Sequence, residues 1–95
     1  MFFSNYAKLY DLFYSEKDYK SECEFILESI NRFYTKIDKL AIIDFGCGTG
    51  EHSLILSKKG HFCRGIDLSE DMINLAINKS KLNSKLELEF LVGDI

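Results

Sequence analysis

The feature that most constrains this chain is a short apolar run that leads directly into a glycine-rich turn. Residues 40–45 are almost continuously apolar, with Asp44 as the exception, and Gly46, Gly48 and Gly50 follow at every second position. A run of this length and composition predicts a parallel strand buried on both faces. Glycines allow positive φ and a close approach of the backbone to a ligand. We therefore expect a ligand site between this strand and the helix that follows it.

Helix and strand patterns alternate along the rest of the chain. They predict helices over residues 51–59 and 70–81, and a second and a third strand over residues 62–66 and 86–92. Gly60 suits the end of the first of these helices, and Ser69 the start of the second. In the last segment Glu87 and Glu89 alternate with apolar residues, which is typical of an edge strand. The order β-α-β-α-β predicts an α/β fold, the Rossmann-like half of a doubly wound sheet.

The N-terminal region predicts two helices ahead of that sheet. Tyr6, Tyr10 and Tyr14 stand four residues apart and share a helical face. A second helix, from about residue 19, carries an apolar stripe at helical spacing, with Ser15 and Asp18 as a capping pair. We therefore divide the chain into an N-terminal helical arm, residues 1–38, and a partial cofactor-binding domain, residues 39–95.

Composition and charge exclude several classes of protein. The chain has 95 residues, 46% hydrophobic and 28% charged, with a formal net charge of −3. Such a chain predicts a globular domain without the basic surface that nucleic acid or an anionic membrane requires. Three cysteines without a CxxC pair predict reduced thiols and no metal site, and His52 and His61 have no partner at metal or triad spacing. The N-terminus lacks signal-peptide features and no apolar run reaches membrane length, so we expect a cytoplasmic protein.

Acidic residues stand where the predicted strands end. Asp67 closes the second strand about twenty residues after the glycines, a position where an acid accepts ribose hydroxyls in dinucleotide-binding folds; a simple strand-end aspartate is the alternative. Asp94 follows the third strand beside Gly93, where a turn aspartate is equally expected. Asp44, inside an apolar run, requires a polar partner such as a turn amide or a ligand amine.

Glu51 bears on the type of cofactor. It occupies the place of the third glycine in a dinucleotide fingerprint, where its carboxylate would repel a pyrophosphate at the helix N-terminus. No Gly-Lys-Ser/Thr sequence follows the glycines, so a P-loop is also excluded. A cationic cofactor without phosphate, such as S-adenosylmethionine, avoids this repulsion.

Three motifs occur in a fixed order: Asp44-Phe45-Gly46-Cys47-Gly48-Thr49-Gly50, Gly65-Ile66-Asp67-Leu68-Ser69 and Gly93-Asp94. Over residues 40–95 this order closely resembles the class I S-adenosylmethionine-dependent methyltransferases. The resemblance implies that Asp44 and the glycines hold the methionine moiety, that Asp67 holds the ribose and that Asp94 contacts the adenine amine. The implied cofactor-binding set is Asp44, Gly46, Cys47, Gly48, Gly50, Asp67, Leu68, Met72, Asp94 and Ile95.

The arm resembles that of small-molecule methyltransferases that act on amines, including amino-sugar N-methyltransferases. This resemblance implies methyl transfer to a small-molecule amine. It makes Tyr14 the catalytic candidate, because the tyrosine stripe then lines the cavity over the methyl group; otherwise the stripe simply packs the arm against the core. The sequence identifies no catalytic base.

The chain departs from the family pattern in length. The family resembled has a seven-stranded sheet, whereas the sequence stops after the third predicted strand. We therefore expect a truncated sheet that is inactive alone and self-associates through the bare edge of its first strand. The alternative function is a non-catalytic fragment or binding module for S-adenosylmethionine or another adenosine nucleotide.

Overall fold

A computed structural model of the chain describes residues 8–9, 18–33 and 38–94. Among the elements whose ends the structure describes, helix α1 comes first, and β-strands then alternate with helices. The elements are α1 (Tyr19–Phe33), β1 (Ala41–Phe45), α2 (Glu51–Lys58), β2 (Phe62–Asp67), α3 (Glu70–Ser80), a 3-10 turn (Lys81–Asn83) and β3 (Leu88–Val92). The predicted order β-α-β-α-β is confirmed. Across the described ranges, no helix has the length and apolar character needed to cross a membrane.

The three strands form a parallel sheet in the order β1-β2-β3. β3 lies at an edge, as its alternating acidic residues predicted. Glu89 on β3 forms an ion pair with Arg64, directly opposite it on β2. Because the strands are parallel and in register, Phe45 and Asp67 end at the same side of the sheet as Val92. This carboxyl edge is where the predicted site residues converge.

Local signals set the ends of α2 and α3. The Ser69 hydroxyl accepts a hydrogen bond from the Met72 amide at 3.2 Å, so Ser69 is the N-cap of α3, as predicted. Gly60 follows α2 with a φ of +98°, a left-handed conformation that suits the residue after a helix. At α1 the capping residue is Asp18, whose carboxylate accepts both the amide and the hydroxyl of Ser21. Ser15, its predicted partner, lies outside the described residues.

The core lies between the sheet and its helices on one face. One buried cluster joins Cys23 of α1 to Leu56 and Cys63. A second cluster joins α3 to β3 and the glycine turn through Cys47, Ile73, Ala76 and Phe90. The apolar stripe of α1 is only partly covered in the described region, because Phe33 remains 79% exposed.

The opposite face of the sheet corrects one expectation. β1 was predicted to be buried on both faces, yet Ile43 and Phe45 are 54% and 52% exposed among the described residues. Both crossovers run in the same direction across the sheet, from β1 to β2 and from β2 to β3. Right-handed crossovers in one direction place both helices on one face. The other face therefore keeps its apolar side chains uncovered within the described ranges.

Candidate functional site

A cleft of about 130 Å³ opens at the carboxyl edge of the sheet. The residues that line it follow or end the three strands and are Gly46, Ile66, Asp67, Leu68, Gly93 and Asp94. Four of the predicted site residues, Gly46, Asp67, Leu68 and Asp94, therefore lie together. Ile66 and Gly93 were not predicted, although each directly precedes a predicted acid in the sequence.

The glycine turn between β1 and α2 depends on three left-handed residues. Gly46, Gly48 and Gly50 have φ angles of +69°, +59° and +82°. A Cβ added at Gly46 would meet nothing within 4 Å, so this position needs glycine for its backbone angle alone. A Cβ at Gly50 would lie 2.5 Å from the Phe90 ring, so close packing also requires glycine there. These requirements explain the spacing seen in the sequence.

Asp67 ties the glycine turn to its own loop. Its Oδ2 accepts the Gly48 amide at 2.9 Å, and its Oδ1 accepts the Ser69 amide at 2.9 Å. Its main-chain carbonyl accepts the Gly93 amide at 3.0 Å. A carboxylate offers about four acceptor positions. Asp67 can therefore hold the three strand-end loops together and still accept hydrogen bonds from a ligand.

Asp44 has the polar partner that its burial required. The hydroxyl of Ser53, itself fully buried, donates to Asp44 Oδ2 at 3.0 Å. This donor comes from the first turn of α2 and not from the amides of the glycine turn. The half-buried Asp44 carboxylate is thus held at the base of the turn.

Lys79 was not anticipated from the sequence. From the last turn of α3 its Nζ donates to Thr49 Oγ1 at 2.9 Å and to Glu51 Oε1 at 2.6 Å. The lysine offsets the charge of Glu51, and neither side chain lines the cleft. The electrostatic argument from Glu51 against a pyrophosphate is therefore weaker than the sequence suggested.

Two other predicted site residues direct their side chains into the core. Met72 is 6% exposed, and Cys47 packs against Phe90 and Ile73. Burial raises the pKa of the Cys47 thiol to about 12, and the charges of Asp44 and Asp67 add to this effect. The thiol therefore stays protonated at neutral pH. Tyr14 and Ile95 lie outside the described residues.

Both histidines have partners. His52 Nε2 lies 3.5 Å from Glu22 Oε1 on α1, and the Tyr19 ring meets the imidazole edge-on at 4.8 Å between centroids. His61 is buried, and its Nδ1 accepts the Leu40 amide at 3.0 Å. His52 thus joins α1 to α2, and His61 stabilises the start of β1.

The chemistry of the cleft fits S-adenosylmethionine. Its lining has two carboxylates, backbone groups and the apolar side chains of Ile66 and Leu68, with no basic side chain among the six residues. Leu68 is 70% exposed beside the cleft, where it can cover an aromatic ring. Carboxylates suit the hydroxyls and amine of an adenosine and a cationic centre, whereas they disfavour phosphates.

Comparisons with known proteins agree on one family. A family model described as a methyltransferase domain matches residues 36–95. YqeM of Bacillus subtilis, provisionally named a methyltransferase, is 35% identical over 95 residues, covering 100% of this chain and 35% of that protein. An S-adenosylmethionine-dependent methyltransferase of Clostridium acetobutylicum has a solved structure that superposes with a TM-score of 0.71 and 27% identity, over 99% of this chain and 37% of that one.

Other relatives differ in their acceptors. A dTDP-3-amino-3,4,6-trideoxy-α-D-glucopyranose N,N-dimethyltransferase of Streptomyces venezuelae is 35% identical over 78 residues, covering 80% of this chain and 32% of that enzyme. An uncharacterized RNA methyltransferase of Protochlamydia amoebophila is 38% identical over 71 residues, covering 75% of this chain and 16% of that protein. The chain thus spans about a third or less of these relatives. The predicted cofactor of the family, S-adenosylmethionine, is confirmed, and the chain belongs to the methyltransferase domain family.

Proposed function

We propose that this chain binds S-adenosylmethionine at the carboxyl edge of its sheet and supplies the cofactor-binding half of methyl transfer to a small-molecule amine. The observation that carries the proposal is the cleft in which Asp67 and Asp94 lie together beside two apolar side chains. The glycine turn borders the same cleft through Gly46.

Each part of the cofactor has a partner in this proposal. Asp67 accepts the ribose hydroxyls, and Asp94 accepts the adenine amine. Ile66 and Leu68 contact the faces of the adenine ring, which their apolar character supports. Asp44, whose Oδ2 is held by Ser53, and the glycine turn receive the methionine end.

The bound cofactor would supply a methyl carbon activated by its sulfonium: the nucleophile would bond to this carbon in line as the carbon–sulfur bond breaks and S-adenosylhomocysteine leaves. The work of this chain is then to bind and orient. Correct placement of donor and acceptor can contribute about 7–11 kcal/mol to such a reaction. An amine nucleophile must also lose its proton to a base. Tyr14 remains the predicted catalytic candidate near the acceptor.

The proposed acceptor rests on a relative and on charge. The Streptomyces venezuelae relative is named for dimethylation of an amino sugar, so an amine acceptor has a precedent among similar chains. Several relatives are named RNA methyltransferases, and RNA is therefore the second candidate acceptor. The net charge of −3 and the absence of basic side chains from the cleft lining favour the amine.

Calorimetric titration tests the cofactor site. The chain should bind S-adenosylmethionine and S-adenosylhomocysteine, and NAD much more weakly. Asp67→Ala should weaken binding by about 1–3 kcal/mol, because a half-buried hydrogen-bonding partner is lost. The exposed Asp38→Ala serves as the matched control and should bind like the parent. NAD binding as tight as that of S-adenosylmethionine, or an unaffected Asp67→Ala, would refute the assignment.

A turnover assay tests whether this chain can methylate an acceptor by itself. The 95-residue chain, which spans about a third or less of the relatives compared, should form no appreciable product with a panel of small amines or with RNA oligonucleotides. Methylation of an amine by this chain alone would show that these residues suffice for the acceptor site. Methylation of RNA would overturn the proposed acceptor.

A further inference from the structure

A lysine far along the chain, Lys79, contacts the glycine turn that Asp67 also contacts. Lys79 Nζ contacts Thr49 Oγ1 at 2.9 Å and Glu51 Oε1 at 2.6 Å. Gly48, which precedes Thr49 in the chain, donates its amide hydrogen to Asp67 Oδ2 at 2.9 Å. Two charged side chains, one from the end of β2 and one from the end of α3, thus hold neighbouring residues of the same turn.

We propose that Lys79 is a positioning residue for the cofactor: it holds the turn formed by residues 46–50 in the shape that receives the methionine end. Lys79 does not line the cleft, so its proposed effect on the cofactor passes through its contacts with Thr49 and Glu51. The proposal rests on the proposed function, because it concerns the same site.

The turn needs such a constraint because of its composition. Three of its five residues are glycines with positive φ. Glycine has the largest backbone freedom of any residue, so an ordered turn of this kind loses much entropy. The hydrogen bond that Lys79 donates to the Thr49 hydroxyl and the one that Asp67 accepts from the Gly48 amide offset that loss. The end of the turn toward α2 is the part that Lys79 holds.

The Lys79–Glu51 pair also differs from an ordinary surface ion pair. The two side chains are only 24% and 32% exposed, and Thr49 is 2% exposed. Glu51 lies at the N-terminus of α2 and Lys79 near the C-terminus of α3, so each charge is favourable for the dipole of its own helix. Charge-assisted hydrogen bonds with partial burial are stronger and better defined than solvated ones. The pair is therefore a well-defined, partly buried ion pair that connects α2 to α3.

Hydrogen exchange tests the hold on the turn without any ligand. In Lys79→Met the hydrogen-bonded amides of Gly48 and Gly50 should exchange about tenfold faster or more, as expected when a local contact that resists opening is removed. The amide of Cys63, bonded within the sheet to Glu87, should be unchanged. Lys79→Arg, which keeps charge and donors, should restore most of the protection. The exposed Lys81→Met is the matched control.

Titration tests the consequence for the cofactor. Lys79→Met should bind S-adenosylmethionine and S-adenosylhomocysteine about tenfold more weakly, equivalent to about 1.4 kcal/mol. Adenosine, which lacks the methionine end, should bind with parental affinity, and this result also shows that the variant is folded. Lys81→Met should bind all three ligands like the parent.

The outcomes separate the two proposals. Unchanged exchange at Gly48 and Gly50, or equal acceleration at Cys63, would overturn the role of Lys79. Equal weakening of adenosine and S-adenosylmethionine would do the same, because it indicates a general structural effect. A parent chain that binds neither S-adenosylmethionine nor S-adenosylhomocysteine would instead remove the proposed function, and with it a role for Lys79 toward the cofactor, whatever the exchange result.

Discussion

Among single residues, Phe90 leaves no room for a side chain at two glycines, Gly50 and Gly65. A Cβ at Gly50 would lie 2.5 Å from the Phe90 ring, and a Cβ at Gly65 would lie 2.6 Å from it. The Cβ added at Gly65 would also lie 2.8 Å from the Cys47 sulfur. The Phe90 ring, 8% exposed, therefore fills the space beneath the glycine turn and joins β3 to it.

Gly65→Ala should lower the free energy of unfolding by about 1–3 kcal/mol, because overpacking displaces a ring that has no room to move. Phe90→Leu in the same chain should recover part of that loss by opening space, although Phe90→Leu alone destabilises the core. Urea denaturation of the two single variants and the double variant measures this coupling. Strict additivity of the two changes would show that the contact is not the cause.

The buried cysteines predict a dependence of stability on alkaline pH. Burial raises the pKa of Cys47 to about 12 and that of Cys63 to about 11, from 9.0 for an ordinary thiol. The folded chain therefore keeps these protons at pH values where the unfolded chain releases them. Stability from this source is complete below pH 9 and is lost as pH rises toward 12.

Denaturation of the parent and of Cys47→Ala at several pH values between 8 and 11 checks this expectation. The variant is less stable at pH 8 because it leaves a small cavity, and its further loss above pH 9 should be smaller than that of the parent. Identical alkaline slopes would show that Cys47 does not contribute. In the same samples, iodoacetamide should label the thiols of the folded chain much more slowly than those of the unfolded chain.

At the scale of elements, α1 has its own attachment to the core. Cys23 packs with Leu56 and Cys63, while Glu22 and Tyr19 meet His52 at the start of α2. Helix α1 is thus anchored by residues from 19 onward. The tyrosine stripe of residues 6–14 remains a prediction from the sequence, with two possible roles, packing or covering the site.

Deletion of residues 1–14 distinguishes these roles. If the stripe covers the cofactor, the shortened chain should melt at nearly the parental temperature and bind S-adenosylmethionine more weakly, because α1 retains its contacts with α2. Thermal unfolding and titration of the same sample measure both effects. Global unfolding on deletion would show that the stripe is part of the core, and the covering role would be abandoned.

At the scale of the whole molecule, the sheet is covered on one face only within the described ranges. Ile43 and Phe45 on β1 and Leu91 on β3 point to the other face and are each about half exposed. Among the described strands, β1 also has one edge without a neighbour. Apolar strands with an open edge recruit other strands. β3, in contrast, carries a charged residue, Glu89, which forms an ion pair with Arg64 of β2.

We therefore expect the purified chain to self-associate through β1. Sedimentation velocity across the micromolar range should show species larger than the monomer, and Ile43→Lys should shift the distribution toward monomer. Leu82→Lys is the matched control, because Leu82 is 89% exposed but lies on the 3-10 turn, away from β1. A parental chain that stays monomeric throughout would contradict the expectation.

The order of the elements and the family were determined by the sequence alone, whereas some element ends differ: β3 begins at Leu88 and not at residue 86 as predicted. Apolar periodicity specifies helix or strand, and Ser69 and Gly60 mark helix ends through local hydrogen bonding and backbone angle. The glycines of the turn and the acids at the strand ends predicted a ligand site at the carboxyl edge, where the structure has a cleft. These properties depend on residues close together in the chain, so the sequence expresses them directly.

The tertiary structure decided which side chains meet. It turned Cys47 and Met72 into the core, left one face of β1 exposed among the described residues and joined Lys79 to Thr49 and Glu51. The direction of the crossovers and the register of the strands determine these contacts, and neither is visible in local periodicity. Lys79 lies 28 residues from Glu51 in the chain, so only folding shows that the two form a pair.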